Sequence, residues 1–376
     1  PTQIGLLGNS NTDWQEEIYT TAIGQDHNFS ALGNLSGVPM RASLGYSEHE
    51  GILKGDNLQR TTASINLSPS FFDKHLKVDF NLKGMYTENE FAERGAIGGA
   101  TTFDPTQSVY DANSQYGGYF AWLDVGTGNQ NNLAPTNPVA QLNLIDDTAE
   151  IRRLVANVKL DYKIHGLEDL TATVNLGYDT SNSHGRKYTS HLIPTSDATF
   201  SGSLTSYVQK SDNKVFDAYL TYVKTFNEAH NLTVVGGHAY QSFEYDNYNY
   251  DSEARKDGNT YEFIDKSKNV LLSYFGRANY DYKGKYYLTA TLRADASSKL
   301  NPNDRWGIFP SFAAAWSIHK EAFMEGSFFN ELKLRVGYGE IGNINGLGDY
   351  QFLTRYNGST DTASYQFGSA FYQTFR

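Results

Sequence analysis

The chain has 376 residues with 42 acidic against 31 basic side chains, and its net charge of −11 speaks against non-specific nucleic-acid binding. It contains no cysteine, which rules out disulfides and thiolate metal sites, and no run of eighteen apolar residues that could form a transmembrane helix. Its 27 Tyr, 22 Phe and 34 Gly are the strand and turn formers of an all-β chain.

Period-two alternation appears first at residues 76–87, where Leu76, Val78, Phe80, Leu82, Gly84 and Tyr86 oppose Lys77, Asp79, Asn81, Lys83, Met85 and Thr87. It returns at 154–164 and 170–178, with Leu154, Ala156, Val158, Leu160 and Tyr162, then Leu170, Ala172, Val174, Leu176 and Tyr178, on the apolar side. Residues 286–295 set Tyr286, Leu288, Ala290, Leu292 and Ala294 against Tyr287, Thr289, Thr291, Arg293 and Asp295. Phe312, Ala314, Trp316 and Ile318 follow on one side of the next run, and Leu332, Leu334, Val336 and Tyr338 on one side of the last. Each run is about nine to eleven residues long, the length a tilted strand needs to cross a bilayer. The opposing faces carry Lys, Arg, Asp and Asn, and tyrosines mark the ends of the apolar faces, as in an aromatic girdle.

The connections sort by length. Short turns are predicted at 34–39, 68–76, 164–170, 226–231 and 281–286, and long connections at about 88–150, 180–213, 243–269, 296–309 and 340–350. The 319–331 stretch is long on the short side. Long loops on one side and tight turns on the other describe a transmembrane antiparallel β-barrel. A soluble up-and-down sheet or sandwich shares the alternation, but its strands are usually shorter.

Chemistry-bearing motifs are sparse. Gly337, Gly339 and Gly342 spell G-x-G-x-x-G, with Asp361 about twenty residues on. That fingerprint holds a pyrophosphate only if its third glycine opens a helix, and Asn343-Ile344-Asn345-Gly346 predicts none. His230 and His238 lie eight residues apart on one strand face, too far to share a metal. Asp111-Ala112-Asn113 begins like a calcium loop, but Tyr116 stands where the turn glycine belongs. No catalytic residues, metal ligands or cofactor are expected, and the chain reads as a non-enzyme. Tyr116, Tyr119, Phe120 and Trp122, together in YGGYFAW inside the longest connection, are the candidate substrate- or partner-binding residues. The alternative for them is packing of the loop itself.

Several segments together resemble SusC/RagA-type TonB-dependent transporters. They are NTDWQEEI (11–18), HNFS (27–30), SYFGRANYDYKGKYYLTATLRADASSKL (273–300), NPNDRWGIFPSFAAAWSIHKEAF (301–323) and LKLRVGYGEIGN (332–343). The resemblance implies part of a 22-stranded outer-membrane barrel, with residues 1–20 as a plug–barrel junction and 21–376 as partial barrel with long extracellular loops. It further implies import of oligosaccharides or peptides in Bacteroidota-type bacteria, a SusD-like surface lipoprotein as partner, and the TonB complex reached through parts outside this chain. A chain this short of the full strand number is expected to be a piece of a longer one, because an open half-barrel would leave unpaired edges in lipid. Two readings from other classes compete: a soluble or surface-attached β-protein that binds glycans, and an outer-membrane barrel enzyme.

Overall fold

The computed structural model describes residues 6–251, 261–354 and 364–373. It divides into two units, Pro1–Asp217 with Ser242–Ser267, and Ala218–Gln241 with Lys268–Arg376.

In the first unit a short helix α1 (Trp14–Ile18) precedes β1 (Gly24–Leu35), β2 (Val38–Glu50), β3 (Asn57–Leu67), β4 (Ser70–Phe71) and β5 (Leu76–Glu90). Helices α2 (Gly95–Thr102) and α3 (Pro138–Leu144) interrupt the chain before β6 (Ile145–Ile164), β7 (Leu167–Thr189) and the first part of β8 (Ser203–Phe226). The strands are antiparallel and pair in chain order, with β4 as a side pair on β5. Register carries the apolar stripes straight across the sheet: Ala31, Ala42, Ile65, Leu82, Ala156 and Tyr178 form one row. On the other face the polar groups satisfy one another. Arg153 donates to both carboxylate oxygens of Asp179 at 2.8 and 2.6 Å, Lys159 donates to Asp161 at 2.8 Å, and Asn157 donates to Asn175 at 2.8 Å.

The meander continues through the end of β8, β9 (His230–Asp251) and β10 (Tyr261–Tyr282), of which Ala218–Gln241 and the part from Lys268 belong to the second unit, and then through β11 (Tyr286–Ser297), β12 (Trp306–Ser317) and β13 (Lys333–Gly339), which lie wholly in it. A separate hairpin joins β14 (Ser364–Phe367) to β15 (Ala370–Gln373). Ala278, Ala290, Phe312 and Tyr338 make one apolar row, and Arg277, Thr291, Ser311 and Gly339 the polar row beside it. The β10–β11 turn needs left-handed backbone, which Lys283 (φ 53°) and Gly284 (φ 61°) supply, matching the twist of a two-stranded ribbon.

Tyrosines end the apolar faces as expected, and each is fixed by a neighbour. At the long-connection end Tyr46 donates to Glu48 at 3.2 Å, Tyr86 to Glu88 at 2.8 Å and Tyr338 to Glu340 at 2.6 Å. At the short-turn end of the second unit Tyr286 stacks on Tyr282 and Trp316, and the Glu321 carboxylate accepts from Tyr286, Lys285 and Trp316 at 2.7, 2.9 and 3.0 Å.

Strand limits differ from the sequence expectation. β6 starts at Ile145, β7 runs to Thr189 and β8 starts at Ser203, so the stretch 180–213 shrinks to a connection of 190–202, and 88–150 to 91–144. Strand likewise occupies both ends of 243–269, up to Asp251 and from Tyr261, while 252–260 lies outside the described residues. Beyond the tyrosines both faces become polar, so alternation of hydropathy stops while backbone pairing goes on. Among the described residues no helix follows Gly342, and Asp361 lies outside them.

Candidate functional site

Apolar burial in the first unit concentrates in the long connection rather than on the sheet. Trp14, Ile18, Leu53, Ala96, Phe103, Val109, Tyr119 and Val139 are among the residues of one buried cluster. It begins with α1, where the Asp13 carboxylate caps the helix by accepting from the Gln15 and Glu16 amides at 3.0 and 3.2 Å. One helical turn then puts Trp14 and Ile18 on the same side, both buried. The Trp14 ring meets Phe103 at 4.4 Å, and its indole N–H donates to the Asp104 carbonyl at 3.0 Å. The Thr12 hydroxyl donates to the Gln107 carbonyl at 2.6 Å, and Lys54 returns to the Glu17 carbonyl at 2.6 Å. Segment 6–20 thus packs against the connections 51–56 and 91–107 and against α3, at the long-connection end of this unit.

Asn137 organises the rest. Fully buried, it caps α3 by accepting from Val139 and Ala140 while its amide donates to the carbonyls of Val109 and Phe120 at 2.9 and 3.1 Å. All four bonds come from one side chain, and Pro138 after it starts the helix at no hydrogen-bond cost. The Asn-Pro pair was the available sequence signal for this hub, masked by the aromatic run nearby. Asp56 is a second tie: its carboxylate accepts from the Ala92 amide and pairs with Arg94.

The four aromatic candidates do come together, but not alike. Tyr116 and Tyr119 are buried, at 6% and 9% exposure. The Tyr116 hydroxyl donates to the Thr195 carbonyl at 3.2 Å and accepts from the Gln130 amide at 2.9 Å; that of Tyr119 accepts from Asn143 at 3.0 Å. Both are therefore committed to holding the loop. Phe120 and Trp122 are partly buried, stacked edge to face at 5.4 Å with Phe120 against Phe103. The large apolar side chains this loop leaves in the open are Phe91 at its root and Tyr110, Leu123, Val125 and Leu133 further on, which carry no periodic signal in the sequence. At the root of the loop, Lys187 at 2.7 Å holds the Glu93 carboxyl below the ordinary range. The Thr106 amide does the same for Asp104. Among the described residues no group of three or more His, Asp or Glu is placed to hold a metal.

A sheet apolar on one side and polar on the other, with a structured outer loop and tyrosine-marked edges, defines the class of protein as a β-barrel wall. Comparison supports that class. The chain is 36% identical to the TonB-dependent receptor SusC of Bacteroides thetaiotaomicron across 98% of its own length, and spans 39% of that receptor. To the TonB-dependent receptor P3 of Formosa agariphila it is 30% identical over 94% of the chain and 36% of the relative. Among solved structures it superposes on the RagAB peptide importer in its closed-closed state with a TM-score of 0.79 at 21% identity, over 98% of this chain and 42% of that one. No protein-family model matches the chain. The chain is therefore SusC/RagA-like, with the fold of a TonB-dependent transporter barrel, and it spans well under half the length of these relatives.

Proposed function

We propose that the chain forms part of the wall and outer loops of an outer-membrane importer of oligosaccharides or peptides, driven through TonB by parts of the protein outside this segment. The observation that carries the reading is the two-faced sheet. One face is continuous in exposed Leu, Phe, Val and Tyr, and the other is a lattice of paired polar groups. In a bilayer the first face meets lipid and the second lines a lumen, since unpaired polar groups have no place in hydrocarbon. The long connections then lie outside the cell and the short turns inside. A lumen wall in which pairs such as Arg153–Asp179, Lys159–Asp161 and Arg293–Asp295 satisfy each other offers a passing solute fewer strong holds, so recognition falls to the mouth and the loops. Tyr110, Leu123, Val125 and Leu133 give the long connection an apolar outer surface suited to a surface lipoprotein of the SusD-like kind, with Phe120 and Trp122 behind it. Tyr116 and Tyr119 contribute by shaping that surface.

The test is uptake of labelled oligosaccharides and of labelled peptides by cells with and without the complete gene, with TonB intact and deleted. Uptake of either class that needs both the gene and TonB is expected. Uptake unchanged by loss of the gene refutes the reading.

A further inference from the structure

At the long-connection end of the second unit, the polar face of β11 and β12 and the segment after β13 enclose a cavity of about 320 Å³. Its walls are mostly apolar, built by Leu300, Phe309, Ile344 and Leu347. The cavity is held in shape. The Phe309 ring sits against Gly307 and Gly342, and a Cβ on either glycine would come within 2.5 Å of it. Lys299 donates to the Leu347 carbonyl at 3.0 Å, and Tyr350 to the Lys268 carbonyl at 3.2 Å, pinning the segment after β13.

One polar group in this lining is left incomplete. The Nε of Arg305 is shielded from solvent and has no acceptor, and among the described residues no carboxylate pairs with its guanidinium. The carboxylate in the same lining, Asp295, is already engaged by Arg293 at 2.7 and 2.9 Å. A half-buried arginine with a shielded, unpaired Nε and no carboxylate partner among the described residues is the half of a fork that a carboxylate completes. Leu300, Ile344 and Leu347 suit an apolar side chain beside that carboxylate better than the hydroxyls of a sugar ring, for which the lining offers Asp295, already engaged, with Ser297 and Asn343.

We propose that this cavity is a subsite at the lumen mouth for the carboxyl end of a peptide, with the terminal apolar side chain between Leu300, Ile344 and Leu347 and its carboxylate on Arg305. This rests on the import reading above and selects peptides as the substrate class for this site. The experiment uses the full-length receptor purified in mild detergent, with Gly-Gly-Leu, its C-terminal amide and maltotriose as probes in titration calorimetry. The free acid should bind about tenfold or more tighter than the amide, the range of a charge-assisted hydrogen bond. Arg305→Gln should erase that difference with the amide's affinity unchanged, and Arg305→Lys should restore part of it. Equal affinity of acid and amide, acid binding indifferent to Arg305→Gln in a folded variant, or maltotriose binding lost on Arg305→Gln would each overturn the proposal. Binding is read without TonB, so absence of peptide uptake by cells would count against import while leaving the subsite standing.

Discussion

Placing an arginine on the apolar face of β11 tests which side of the sheet meets lipid, and the expected cost can be worked from position along the strand. Tyr286 marks the short-turn boundary. With a rise of about 3.4 Å per residue and a tilt of about 40°, Leu288 lies roughly 5 Å and Leu292 roughly 15 Å inside it. In an apolar band about 25 Å tall the midplane falls near 12 Å, between Ala290 and Leu292. Leu292 is 57% exposed, with Gly276 and Pro310 as its cross-strand neighbours, so an arginine there has no protein partner and must take its charge into lipid. Leu292→Arg should cost about 2–4 kcal/mol, and Leu288→Arg about half that, because the charge reaches the interface sooner. Thr289 makes the control. It points to the polar face between Asn279 and Ala313, without the like charge that Arg277 would set beside Thr291, and Thr289→Arg should change stability by about 1 kcal/mol or less. The assay is a urea titration of the complete receptor folded into thin lipid vesicles, read by tryptophan fluorescence and by gel mobility. A cost for Thr289→Arg equal to that of Leu292→Arg would refute the two-faced reasoning.

Acid should loosen the short-turn end of the second unit through Glu321. Its carboxyl is held down to about 2 by Tyr286, Lys285 and Trp316, so its contribution is present above its ordinary value of 4.5 and lost as pH falls toward 2; Glu321→Gln should flatten that part of a Tm-against-pH curve. His75 works in the opposite sense: its ring nitrogens face two acceptors, the Glu168 carboxylate at 2.9 Å and the Phe72 carbonyl at 2.8 Å, and its pKa is raised. Its contribution should be complete below about pH 6.5 and fade as pH rises through the raised value, a trend that His75→Gln should abolish in the same Tm series. Trp14→Ala should open the long connection to protease within 91–144, at a local cost of about 3–5 kcal/mol, with the strands still resistant. Titration calorimetry with NAD should show no binding, and Gly342→Val should disturb Phe309, seen as a changed aromatic near-UV signal, rather than any nucleotide site.

Where one face was apolar, the sequence was readable: Leu76 to Tyr86 and Tyr286 to Ala294 alternate because each second residue leaves water, and their register agrees with the stripes. Residues 180–189 and 203–213 gave no such signal, since both faces of β7 and β8 are polar there and only backbone pairing continues the strand. The long connection was opaque for another reason. Helix α2 reads GAIGGATT, with too few large side chains to show a stripe, and its place is set by distant residues such as Trp14 and Val139. The aromatic run reads as a binding patch in the sequence, which does not show that two of its rings also hold the loop. Arg305 could not have been singled out, because an unpaired guanidinium is recognised only when the surroundings of its nitrogens are known.

The three tyrosine–glutamate couples of the long-connection end have a consequence for how such a wall floats. In Tyr46–Glu48, Tyr86–Glu88 and Tyr338–Glu340 the acid follows its ring by two residues on the same face, so the carboxylate stands about 7 Å further along the strand than the ring. A ring alone tolerates some vertical drift at the headgroup level, since it is comfortable across the whole interface. A ring tied to a carboxylate is not: sinking by a few ångströms would drag a charge into hydrocarbon, and rising would pull leucines into water. The couples act as a waterline, fixing draught at the long-connection edge of each unit, and Tyr286 on Glu321 sets a second mark at the short-turn edge of the second.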